Sequence, residues 1–184
     1  MKSESFILFW AKREGIMSAT NDTLADNASL QALQDRNDVA DVLYRYSACV
    51  DSFDAEGLRS VLADDIWAQY GNGDPVEGGD ALASWITEAT ATIIWQHHLL
   101  NVYTVDIDGD HASALSYLTS YQVFRENPDA AIILVARYHD ELRRTPAGWK
   151  ISKRIMELLW GESKADEGYL AGLGGRGPKV WQRD

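Results

Sequence analysis

From Ser29 to Val50 the apolar residues Val39, Val42, Leu43, Tyr46 and Val50 recur at i, i+3, i+4, i+7 and i+11, the periodicity of one face of an α-helix. Asp54 can cap a second, short helix running to Leu62, and a strand is expected around Ile66 to Tyr70. Residues 71–79, Gly-Asn-Gly-Asp-Pro-Val-Glu-Gly-Gly, are dense in turn formers and read as loop. A third helix follows from Asp80 to Ala91, with Leu82, Trp85, Ile86 and Ala89 along one side. Beyond it the pattern changes to long stretches rich in Val, Ile, Tyr, Thr and Trp, which read as strands over Thr92 to Ile107, Ala112 to Arg125, Ala130 to Arg144 and Trp149 to Trp160. The separators between them are short enough to join antiparallel neighbours. Helices first and a meander afterwards predict an α+β domain, the helices covering one face of a strongly bent antiparallel sheet.

The domain is expected over residues 28–160, with residues 1–27 as an N-terminal extension and the glycine-rich residues 161–184 as an arm. Met17 opens a Ser/Asn/Asp-rich stretch and is expected to be the physiological start. The 184 residues are 46% hydrophobic and include seven Trp and eight Tyr, enough for a real core. A formal net charge of -11 disfavours nucleic acid and anionic membrane surfaces as partners, because both would be repelled. The longest early apolar run, Phe6 to Trp10, is too short for a signal-peptide core or a membrane span. A single cysteine, Cys49, excludes an intrachain disulfide and thiolate-rich metal sites, and suits a reducing cytoplasm. No His-x3-His or His-Glu-x-x-His occurs, so neither metal nor cofactor is expected.

Two polar patterns stand out against this frame: Tyr46-x4-Asp51 at the end of the first helix and His97-x3-Asn101 in the first long strand. Side chains alternate along a strand, so Trp95, His97, Leu99, Asn101 and Tyr103 share one face, and Gln96, His98, Leu100 and Val102 the other. On this reading His97, rather than His98, goes with Asn101. A carboxylate on one imidazole nitrogen fixes the tautomer and stabilises the imidazolium formed during proton transfer. Asn101 and the Tyr46 hydroxyl are then candidate donors to an oxygen gaining charge. Tyr46 and Asp51 lie about 140° apart round an ideal helix, so they converge only if the helix stops and turns Asp51 inward, as the Ser52-Phe53-Asp54 break allows. Candidate substrate contacts are Trp67, Trp85, Trp95, Tyr117 and Tyr121, with Arg154 needing a partner such as Asp140 or a substrate anion.

Arg45-Tyr46-x4-Asp51, Gly78-Gly79-x3-Ala83, His97-x3-Asn101-Val102, Asp108-Gly109-Asp110-x-Ala112, Arg137-Tyr138-x-Asp140 and Gly148-Trp149-Lys150-Ile151 follow one another in this order. Together they resemble the SnoaL-like branch of the nuclear transport factor 2-like superfamily, which includes scytalone dehydratase, bile-acid dehydratases and hexachlorocyclohexane dehydrochlorinase. The resemblance implies a cystatin-like cone, in which a curved sheet and three N-terminal helices enclose a hydrophobic pocket, assembled as a trimer or dimer. It also implies an Asp–His pair, falling on Asp51 and His97, with Tyr46 on the tyrosine of the bile-acid enzymes. The second histidine of scytalone dehydratase has no clear equivalent.

The function expected is a cofactor-independent lyase, a dehydratase or related elimination enzyme, acting on a small hydrophobic, aromatic or polycyclic substrate. Isomerisation by the same base stays open. The alternative is a non-catalytic ligand-binding protein, or a structural subunit like that of ring-hydroxylating dioxygenases.

Overall fold

The computed structural model describes residues 29–163. The expected N-terminal extension, the start at Met17 and the expected arm from residue 164 onward lie outside the described residues, while residues 161–163, assigned to that arm, continue the last strand. The chain divides into two compact units at Asn37 and Asp38, and everything that follows concerns the second.

Helix α1 runs to residue 51 and buries Val39, Val42, Leu43, Tyr46 and Val50, the face its periodicity predicts. It closes with a Schellman arrangement: Phe53 adopts a left-handed φ of 57°, its N–H donates to Val50 (3.2 Å), and the Asp54 N–H donates to Cys49 (2.9 Å). Asp54 then caps α2 (Ala55–Val61), its carboxylate accepting from the Gly57 N–H at 2.9 Å. Strand β1 (Leu62–Tyr70) contains the strand expected at Ile66 to Tyr70, β2 (Val76–Glu77) pairs with it from within the stretch expected to be loop, and α3 (Gly79–Ala89) follows.

The four long strands are β3 (Ile93–Asp108), β4 (His111–Phe124), β5 (Asn127–Thr145) and β6 (Gly148–Ser163). Two-residue turns join them in antiparallel succession. Pro128, which lacks an N–H, sits where the β4–β5 register jumps between Val123 and Phe124, so it takes no ladder bond away.

The strongly curved antiparallel cone expected from the sequence does not form. The sheet is open, six-stranded and mixed, in the order β2-β1-β6-β5-β4-β3, and is neither strongly curved nor closed. The mixing comes from β1, which lies parallel to β6. Tight turns impose antiparallel pairing only on consecutive strands, whereas β1 meets β6 after a long intervening stretch and is free to pair either way. The core lies between the helices and one face of the sheet, where Ile66, Ala68, Leu118, Ala136, Tyr138 and Met156 are buried with the apolar face of α1.

Candidate active site

Helices α1 and α3 and the inner face of the sheet enclose a cavity of about 90 Å³. Tyr46 and Val50 of α1 border it, as do Trp85, Ile86 and Ala89 of α3, Tyr70 of β1, and Gln96, His98, Ser120, Gln122 and Tyr138 of the strands.

Asp51, in the last turn of α1, is aimed at β3. One carboxylate oxygen lies 2.5 Å from Nδ1 of His98, and the other accepts the backbone N–H of His98 at 2.9 Å. A carboxylate only accepts, so Nδ1 carries the hydrogen and Nε2 keeps the lone pair. The His98 ring is 8% exposed and borders the cavity. This buried carboxylate–imidazole pair is positioned for acid–base catalysis: the Asp51 anion orients the ring and stabilises the imidazolium that follows proton uptake.

The expectation that His97 is the partner is corrected by the same geometry. His97 is half exposed on the outer face of the sheet, and its Nδ1 stands 3.7 Å from Asp51, beyond hydrogen-bonding distance. Asn101 shares that outer face and is exposed. The alternation was read correctly but its sense was inverted. Trp95 and Tyr103, which looked like inward residues, are exposed, and Trp95 stacks on the His97 ring at 6.3 Å. A bulge between Val102 and Thr104 then reverses the phase, so that Val105 points inward where Tyr103 did not.

Of the expected substrate contacts, Trp85 borders the cavity. Tyr117 and Tyr121 are half-buried, in antiphase with the buried Leu118, Ser120 and Gln122 of β4, and Tyr117 packs on Tyr103. Trp67 alternates with the buried Ile66 and Ala68 and pairs with Glu77 at the β1–β2 ladder. None of these three borders the cavity. Arg154 is fully buried but committed to the protein: Nε and Nη2 donate to the two oxygens of Asp140 at 2.7 and 2.8 Å. Its guanidinium is sandwiched between the rings of Tyr46 (3.9 Å) and Tyr138 (4.0 Å). Burial opposes the charge, yet the Asp140 carboxylate outweighs it and holds the guanidinium pKa well above its ordinary value.

Tyr46 borders the cavity, and its hydroxyl lies 2.7 Å from that of Tyr70. Burial, reinforced by Tyr46, pushes the Tyr70 phenol well above its usual range, and burial does the same to Tyr138. Both therefore stay protonated and can donate. Tyr70, Tyr138, His98, Gln96, Ser120 and Gln122 were missed in the sequence. The available signal was in β4, where Ser116, Ser120 and Gln122 share one parity and Tyr117 and Tyr121 the other. Polarity there marks the cavity side, because a cavity needs its few polar groups inside. Among the described residues, no three His, Cys, Asp or Glu side chains converge as a metal site would require.

Fold and site together define a small α+β protein of the nuclear transport factor 2-like superfamily, with an acid–base pair at the cavity between helices and sheet. A SnoaL-like domain matches residues 31–155, and the chain belongs to that family. An uncharacterized protein of Mycobacterium tuberculosis is 25% identical over 128 residues, spanning 69% of this chain and 87% of its own. Among solved structures, a proposed aromatic ring hydroxylase from Novosphingobium aromaticivorans is 25% identical, with a TM-score of 0.67 over 77% of this chain and 97% of that one. A proposed scytalone dehydratase from the same organism superposes with a TM-score of 0.69 at 15% identity, over 83% and 97% of the two chains. Hexachlorocyclohexane dehydrochlorinase from Novosphingobium barchaimii gives 0.67 at 18%, over 74% and 94%.

Proposed function

We propose that the protein is a cofactor-independent lyase in which His98, held by Asp51, removes a proton from carbon and a neighbouring group departs. The observation that carries this reading is the Asp51–His98 bond at the wall of a largely apolar cavity. In a dehydration, the C–H electron pair becomes the C=C bond and the C–O bond breaks. The departing hydroxide takes up a proton, supplied by the His98 imidazolium, and leaves as water. The Tyr138 hydroxyl and the free member of the Tyr46–Tyr70 hydroxyl pair can donate to developing negative charge, and the buried Arg154 cation favours that charge. Isomerisation would use the same base and return the proton elsewhere.

The ring of Trp85, packed on Tyr70 at 5.0 Å, suits a flat apolar substrate. A cavity of about 90 Å³ falls well below the roughly 300–1,000 Å³ of drug-sized sites and favours a single ring over a polycyclic molecule. The relative described as an aromatic ring hydroxylase supports an aromatic ligand. That likeness also favours a second reading, a structural subunit like that of ring-hydroxylating dioxygenases rather than a lyase.

The test is turnover of candidate cyclic alcohols. Asp51→Asn and His98→Ala should each lower kcat/KM by about 10²- to 10⁴-fold with the fold intact by circular dichroism, while His97→Ala stays within about twofold. Full activity of both site variants on the true substrate would overturn the assignment of the chemistry to Asp51 and His98.

Association of copies through the outer sheet face fits the exposed Ile94, Trp95, Leu99 and Tyr103 there. Light scattering coupled to size exclusion should show a dimer or trimer, and Tyr103→Lys should shift it toward monomer.

A further inference from the structure

We propose that Gln96, Ser120 and Gln122 form an oxygen-binding subsite that selects a substrate bearing a hydroxyl group; the role of that hydroxyl as the leaving group rests on the lyase reading above. The three side chains are at least nine-tenths buried and border the cavity. They are also adjacent: Gln96 is directly opposite Gln122 across the β3–β4 ladder, and His98 is directly opposite Ser120, two residues further along each strand. Gln96 Oε1, Ser120 Oγ and Gln122 Oε1 find no hydrogen-bond partner in the protein. Buried polar atoms are ordinarily paired, and because these three residues border the cavity, a ligand entering it can complete them.

The orientation of Gln96 follows from its neighbour. Its Nε2 donates to the Val50 carbonyl at 2.5 Å, and a carbonyl can only accept, which leaves Oε1 as an acceptor. An acceptor calls for a ligand that donates. A hydroxyl donates to Gln96 Oε1 and accepts from the Ser120 hydroxyl, whereas a halogen or a bare hydrocarbon offers no hydrogen and leaves the acceptor desolvated and unpaired. A site built to bond a hydroxyl rejects the analogue that lacks one. Because His98 is the cross-strand partner of Ser120, the bound oxygen lies beside the base, where an eliminated hydroxyl belongs. The wall thus points to dehydration of an alcohol rather than loss of halide.

The test is a binding experiment that needs no turnover, with phenol and fluorobenzene as probes of similar size. Fluorobenzene is followed by ¹⁹F NMR and phenol by its displacement. The wild-type protein should prefer phenol by about tenfold, the effect of one well-made hydrogen bond. The Ser120→Ala/Gln122→Leu double variant should reduce the preference below about threefold without weakening fluorobenzene. Gln96 is left in place in that variant because it also braces the end of α1, and Ser120→Ala alone, nearly isosteric, should give an intermediate value. Equal binding of the two probes to wild type, an unchanged preference in the double variant, or no binding of phenol would overturn the subsite. Loss of turnover chemistry is separate: an inactive protein that keeps the hydroxyl preference would contradict the lyase and not the subsite.

Discussion

At the scale of single residues, the site depends on how one carboxylate is spent. Asp51 uses one oxygen on a backbone N–H and the other on the imidazole of the same residue, so β3 is tied to the end of α1 at a single point. That point is set by the turn after it, in which Phe53 takes a left-handed conformation ordinarily reserved for glycine. Phe53→Gly should relieve this strain and raise the unfolding free energy by about 0.5–1 kcal/mol in urea titrations, without changing kcat/KM. The spacing of Tyr46 and Asp51 suggested that the two could meet only if the helix ended before Asp51; instead the helix includes Asp51 and breaks just after it. Which histidine receives the carboxylate was not legible, because β3 carries large apolar residues on both parities and hydrophobicity cannot then say which face is inside.

Between elements, the main device is the Asp140–Arg154 pair joining β5 to β6 beneath Tyr46 of α1. Arg154 reads from sequence as a cation in want of a partner, and it has one. The pair supports the tyrosines whose hydroxyls face the cavity; the guanidinium does not itself border it. Removing one partner of a buried pair leaves an uncompensated charge, so Asp140→Ala should cost about 3–5 kcal/mol. The double replacement Asp140→Leu/Arg154→Met should cost less than the single one when both are measured by denaturant unfolding, since it removes both charges at once. Turn chemistry made the long strands and their order readable. It could not reveal β2 or the parallel pairing of β1, which involve no local signal.

For the whole molecule, the phenols of Tyr70 and Tyr138 set an alkaline limit. Tyr70 and Tyr138 titrate above the ordinary tyrosine value of 10.0 in the folded protein. Above that pH the unfolded chain releases protons that the folded one retains, so ν_U falls below ν_N and stability declines as pH rises. Their contribution is fully present below about pH 10, and it falls by up to about 1.4 kcal/mol per pH unit for each tyrosine. Melting temperatures between about pH 9 and 11 should show this fall, and Tyr70→Phe should make it shallower.

The sequence by itself determined what is written in local periodicity and turn composition: three helices, four long strands, the capping of α2, and a carboxylate at the end of the first helix. The motif order also carried the family. Only the tertiary structure decided which face of β3 looks inward, which histidine meets Asp51, and that the sheet is open and mixed. These depend on strand register, on a one-residue bulge and on pairing between segments far apart in the chain, and a one-residue change in any of them turns every side chain to the opposite face.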